Sequence, residues 1–168
     1  MRLLRPSQKF ADVSSIDLDA LAAQGVRGLL VDLDNTLLPR DTGVMPSFVT
    51  MWIASARQRF TICLVSNNWH EPVHVVARDL NLPLVARAVK PLPFALLLAL
   101  LRIRMCPSEC AMIGDQLFTD VLGGNLLGMR TILVEPLCQT DLKHTLLLRK
   151  LEARIMHDSL EDDDERGE

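Results

Sequence analysis

Apolar positions in this chain follow two patterns: short runs of branched residues, and longer stretches in which apolar residues return every three or four positions. The runs are Gly28–Asp32, Thr61–Val65, 82–86, 110–113 and 131–134. Runs this short and this apolar are the mark of strands buried on both faces. The longer stretches predict helices over 17–24, 46–60, 71–80, 92–101 and 119–127, with a last amphipathic helix over 141–160. Gly25 suits a helix end and Pro46 a helix first turn, and residues 1–13 read as a mixed entry arm. Strands alternating with helices specify an α/β domain, a parallel sheet covered on both faces.

The ends of the strands are chemically unlike their interiors. The first run stops at Asp32-Leu33-Asp34. Strand side chains alternate, so the two carboxylates share a face while Leu33 turns into the core. Like charges that close need a cation, or one of them keeps its proton. Ser66-Asn67 follows the second run, Lys90 the third, and Asp115 with Asp120 the fourth. Each has an ordinary role when taken alone: Ser66 and Asn67 as helix caps, Lys90 as a solvated cation, Asp115 and Asp120 as turn and helix-start residues. In a parallel sheet, however, all these ends lie on one edge, where ligands of open α/β sheets bind. Three carboxylates about one point call for a divalent cation, and an oxygen-only set without His or Cys points to Mg²⁺. A carboxylate beside Mg²⁺, faced by a lysine and small donors, is a receptor for a phosphoryl group and can itself be the nucleophile.

The segments Asp32-Leu-Asp-Asn-Thr-Leu, Ser66-Asn67, Lys90-Pro91 and Gly114-Asp115-Gln-Leu-Phe-Thr-Asp120 resemble, in order, the four motifs of the haloacid dehalogenase (HAD) superfamily. Val65-Ser-Asn-Asn68 and the run from Ile113 to Asn125, followed by Thr131-Ile-Leu-Val134, resemble the YqeG-type HAD IIIA phosphatases. The resemblance implies a Rossmannoid three-layer sandwich and catalysis by Asp32, Asp34, Ser66 and Lys90. Asp32 would attack phosphorus, and Asp34 would act first as acid and then as base. Ser66 and Asn67 would hold phosphoryl oxygens and Lys90 would balance charge. Mg²⁺ would be held by Asp32, the Asp34 backbone carbonyl and Asp115, with Asp120 as a more distant or water-mediated ligand. Thr36 would support the loop, and Gly123, Gly124 and Asn125 would either pack or shape a turn near the site. No cap domain is expected, because 31 residues separate Asp34 from Ser66 and 23 separate Ser66 from Lys90, intervals consumed by a helix or by a helix and a strand.

Members of that subfamily include phosphatidylglycerophosphate phosphatases, and an open, capless site suits a phospholipid headgroup at a membrane surface. Two other readings stay open: the same chemistry on a soluble nucleotide or sugar phosphate, and a non-catalytic phosphate- or protein-binding module. Composition narrows the rest. Of 168 residues 49% are hydrophobic, enough for one core, and a single domain over 1–160 is expected with an acidic, disordered tail over 161–168. That tail accounts for the net charge of -3, leaving the body slightly positive without a basic stripe, so nucleic acid is not an expected partner. Four cysteines without a Cys-x-x-Cys pair argue against zinc and disulfides and for a reducing compartment. No apolar stretch is long enough to span a bilayer, so a cytoplasmic protein is expected, peripheral to the membrane if the basic helix over 141–160 docks there rather than packing on the sheet. The block 92–101, apolar all round, reads either as a deep core helix or as a face used in self-association.

Overall fold

The computed structural model describes residues 2–138; the helix expected over 141–160 and the acidic tail lie outside the described residues. Six parallel strands form one sheet: β1 (Gln8–Phe10), β2 (Gly28–Asp32), β3 (Thr61–Val65), β4 (Leu84–Val85), β5 (Cys110–Gly114) and β6 (Arg130–Val134). Their spatial order is β1-β6-β5-β2-β3-β4. The helices are α1 (Leu18–Ala23), α2 (Ser47–Ala56), α3 (Glu71–Asp79), α4 (Pro93–Ile103) and α5 (Leu122–Leu126). The chain works outward from β2 through β3 to β4, then returns across the sheet to β5 on the other flank of β2. That reversal makes the carboxyl end of β2 the switch point of the sheet, where an α/β fold opens a crevice.

Two apolar layers sandwich the sheet, and strand parity sorts residues between them. Leu29, Val31, Ile62, Leu64, Ala111 and Ile113 pack with Leu21 of α1, Val49, Trp52 and Ile53 of α2, and Val73 of α3. Leu30, Cys63, Val65, Cys110 and Met112 pack with Leu96, Ala99, Leu100 and Ile103 of α4 on the other face. Asp32 has the parity of Leu30 and therefore emerges on the α4 side. Among the described residues, the interval after Asp34 holds a loop and α2, and the interval after Ser66 holds α3 and β4. The site edge thus carries no cap domain.

Three local details differ from expectation. The entry arm contributes β1, paired in parallel with β6 through Gln8↔Ile132 and Phe10↔Val134. Its three residues, Gln-Lys-Phe, hold one apolar side chain and lie on an edge, so no hydrophobic period announces it. The helix expected over 119–127 starts as a π-helical turn, Leu117–Val121, before α5. Pro46 stands at the N-cap of α2 rather than inside its first turn. Elsewhere the end signals hold: the Asp17 carboxylate accepts from the backbone N–H of Asp19 and Ala20, and Gly25 leaves α1 with φ 85°.

Gly123, Gly124 and Asn125 pack. A Cβ on Gly124 would press on Thr131 and Met112, and one on Gly123 on Leu96, so both glycines let α5 lie close to the sheet and α4. The Asn125 amide donates to the carbonyls of Leu3 (2.8 Å) and Arg5 (3.0 Å) and accepts from the Thr131 hydroxyl (3.0 Å). One side chain thereby ties the entry arm to β6. All four cysteines are free thiols, and burial pushes Cys63 and Cys110 up to about 11, which suits inert packing residues. Asn125→Ala is expected to cost about 1–2 kcal/mol by orphaning the arm's carbonyls, read as a lower urea midpoint, with the chemistry at the β2 end untouched.

Candidate active site

β2 delivers Asp32 to the crevice, and the chain then turns sharply. Asn35 adopts φ 63°, a conformation asparagine tolerates better than most side chains. Its backbone N–H donates to Leu38 O and its carbonyl accepts from the Leu137 N–H (2.8 Å for each). Its side-chain oxygen accepts from Arg40 N (3.2 Å) and Cys138 Sγ (3.0 Å). The turn sends Leu33 into the core and leaves Asp34 half-buried at the rim, where its carboxylate accepts from Ser66 Oγ at 2.7 Å. Thr36 donates to the far oxygen of Asp32 at 3.4 Å, within the loop it helps close.

The centre of the site is a buried ionic knot. Lys90 Nζ donates to Asp32 Oδ1 at 2.5 Å, to Asp120 Oδ1 at 2.6 Å and to the Val65 carbonyl at 3.3 Å. Lys90, Asp32, Asp120 and Asp115 are all buried. Burial pushes Asp32 up, to about 7; the Lys90 ammonium pulls it back, while the Asp120 and Asp34 carboxylates push it further up. Burial would lower Lys90, but Asp120 and Asp32 outweigh it and hold the ammonium above its ordinary value. Lys90 is therefore a fixed cation, and Asp32 is the group of the knot that is pushed toward its neutral form.

Carboxylate oxygens of Asp32, Asp115 and Asp120 lie within 4.8 Å of one another. Three buried carboxylates this close are compatible with a divalent cation, and an all-oxygen donor set suits Mg²⁺. The residues fit such an ion. Bound there, it would supply positive charge to a phosphoryl group and favour the ionised form of Asp32. Asp34 is not in this trio; its carboxylate is engaged by Ser66, so its share in holding the ion would fall to its carbonyl. Asp120 sits on the wall of the site because Gly114 has no Cβ to displace it, and the Gln116 N–H donates to Asp120 Oδ2 at 3.1 Å.

Ser66 and Asn67 occupy the predicted strand end with different tasks. Ser66 Oγ donates to Asp34 and accepts from Asn68 N at 3.0 Å. The Asn67 side chain turns to Lys90: its oxygen accepts from Lys90 N at 2.7 Å and its amide donates to Lys90 O at 3.4 Å. Asn67 thus clamps the backbone of the lysine. Sequence reasoning missed three features of the rim. The Asn68 side chain accepts from the N–H groups of Trp69 and His70 at the start of α3. The Arg87 guanidinium lies 5.0 Å from the Trp69 ring centre, and the His70 ring centre lies 5.0 Å from it as well, tilted by 32°. The exposed Trp69 directly after Ser-Asn-Asn was the available signal; its pairing with Arg87 across 18 residues was not. Arg40 is exposed on the loop beyond Asp34.

A parallel sheet with acids, a lysine and small hydroxyl and amide groups at the tips of successive strands is the architecture of a HAD-type hydrolase, and comparison with known proteins agrees. Residues 88–136 match a family model described as HAD-hydrolase-like. A Bacillus subtilis (strain 168) protein named Probable phosphatase YqeG is 33% identical over 152 residues, covering 90% of this chain and 88% of that protein. Among solved structures, an uncharacterized protein from Listeria monocytogenes serotype 4b superposes with a TM-score of 0.54 at 16% identity, covering 74% of this chain and 99% of that one. A 2-haloacid dehalogenase from Pseudomonas syringae pv. tomato DC3000 gives 0.53 at 14% identity, with 64% and 86% covered; these two likenesses speak to the fold. The chain belongs to the HAD superfamily and, within it, to the YqeG-type phosphatases.

Two outcomes are expected from the knot. Lys90→Met, which leaves Asp32 and Asp120 buried without a counter-charge, should cost about 3–5 kcal/mol in the ion-free protein, with Mg²⁺ restoring part of it in a urea titration. Because Asp32 is raised to about 7, a proton competes with the ion below that pH. Mg²⁺ binding followed by calorimetry in buffers of different ionisation heat should release about one proton near pH 6 and almost none near pH 8, with affinity rising between them.

Proposed function

We propose that this phosphatase is a Mg²⁺-dependent phosphomonoester hydrolase that works through an aspartyl phosphate, with phosphatidylglycerophosphate as its substrate in phospholipid synthesis. The observation that carries the chemistry is the pair of aspartates at the end of β2 in unlike surroundings. Asp32 is buried against Lys90 and Asp120, while Asp34 is half-buried and held by Ser66. Two carboxylates in different environments can take different roles.

Asp32, once ionised, attacks phosphorus and forms an acyl phosphate while the bond to the ester oxygen breaks. Asp34 gives its proton to that leaving oxygen. A water then replaces the product; Asp34 takes its proton as the water oxygen attacks phosphorus, and inorganic phosphate leaves with Asp32 restored. Ser66, the Asn67 main chain and Lys90 would receive the phosphoryl oxygens, and Asp32, the Asp34 carbonyl, Asp115 and Asp120 would hold the ion. Each contributes by being in place before the charge develops.

The lipid assignment is supported by the capless edge, which admits a phosphate carried on a bulky or surface-bound molecule. A cytoplasmic protein in peripheral contact with the membrane is the corresponding location; among the described residues no helix is long and apolar enough to cross a membrane. Phosphate release should be measured with Mg²⁺ from phosphatidylglycerophosphate in mixed micelles and from a panel of nucleotide and sugar phosphates. Turnover of the lipid, lowered by at least about a thousandfold in Asp32→Asn, is the expected result. Turnover of soluble esters alone would keep the mechanism and remove the lipid, and no turnover of either would favour a binding module.

A further inference from the structure

We propose that the outward face of α4, with the lip of the site at Trp69, Val89 and Leu92, is a docking surface for an anionic lipid bilayer. The inference deepens the proposed function, since it says where a lipid surface would meet a site read as acting on a lipid headgroup.

α4 is apolar on both sides. Ala95, Leu96, Ala99, Leu100 and Ile103 are buried against the sheet. The opposite side carries Phe94, Leu97, Leu98 and Leu101, the spacing of a second core-facing stripe. A surface helix normally places polar residues there, yet Phe94 is 75% and Leu101 74% exposed. Scattered exposed leucines mean little, whereas a contiguous stripe marks an interaction surface.

The stripe continues to the mouth of the site. Val89, 61% exposed, and Leu92, half-exposed, bracket the buried Lys90. Val89 holds this place with φ 51°, a conformation a β-branched residue adopts only under constraint. Beyond it stand Trp69 and the Arg87 stacked on its ring, a pairing of amphipathic aromatic and cation that suits a lipid interface.

Charge selects the occupant. Between Asp79 and Glu109 the chain has no acidic residue, while Arg87, Arg102 and Arg104 fall inside that interval and Lys90 there is buried in the site. Arg87 lies at the site end of the stripe and Arg104 caps its far end; the Arg102 guanidinium is engaged by the Leu84 carbonyl. Apolar side chains flanked by cations complement the interface of an anionic leaflet. A second copy of the chain, packed two-fold on the same face, would bring cationic ends together instead. Docked this way, the open lip of the site would lie at headgroup level.

The test is flotation of the full chain with vesicles of phosphatidylcholine, with and without phosphatidylglycerol, comparing the native protein with the triple variant Phe94→Ser, Leu98→Ser, Leu101→Ser. These positions are outside the site, and an unlowered melting midpoint of the variant checks its fold. The native chain should float with the anionic vesicles and on the order of tenfold less with neutral ones, and the variant should lose roughly tenfold or more of its binding. No flotation of the native chain, equal flotation of the variant, or a native dimer that the substitutions dissociate without any vesicle binding would each overturn the proposal. Because flotation needs no turnover, vesicle binding without release of phosphate from the lipid would uphold the docking surface while removing the proposed substrate. Turnover in micelles without vesicle binding would do the reverse.

Discussion

The Lys90 ammonium between Asp32 and Asp120 is the interaction on which the site depends. A buried carboxylate without a partner is severely penalised, and here one cation supports two while a third, Asp115, stands within reach. Three carboxylates gathered this closely are compatible with a divalent ion. Asp32 is pushed toward its neutral form although it touches an ammonium, because its burial, with the Asp120 and Asp34 carboxylates adding to it, outweighs the pull of Lys90. Asn67 grips the Lys90 backbone on both the N–H and the carbonyl, so the loop after β3 positions a residue of the loop before α4.

The sheet makes this knot possible through parity and order. Asp32 leaves β2 on the α4 face, and the connections that run over that face are the ones carrying Lys90 and Asp120. Shifting the register of β2 by one residue would send Asp32 toward α2 and Leu33 into the carboxylates. Gly114 and Gly124 add a second condition: both lack the Cβ that would push Asp120 or α5 away from the sheet. Core packing and catalytic geometry are therefore the same problem at this end of the molecule.

The capless edge has two consequences that belong together. Among the described residues no folded insertion lies between the motifs, and Trp69, Val89 and Leu92 in the loops that carry Asn67 and Lys90 are exposed and apolar. An enzyme with a lid excludes water by closing it; one without a lid can find a comparable apolar cover in the surface that presents its substrate.

The strands, the helices and the acid-bearing tips were legible in the sequence because each depends on near neighbours: branched runs for strands, period-3.6 stripes for helices, and polar residues where a run stops. Asp32, Ser66, Lys90, Asp115 and Asp120 could thus be placed on one edge before any contact was known. β1 was not legible, since three residues with one apolar side chain become a strand only by pairing with β6, more than a hundred positions away. Nor was the turning of Asn67 onto Lys90, or the stacking of Arg87 on Trp69, for each joins separate loops that the fold alone brings together. The sequence showed that α4 is apolar all round, which follows from composition; only the tertiary structure decided which stripe faces the sheet and which faces solvent, because that choice rests on what the rest of the chain buries.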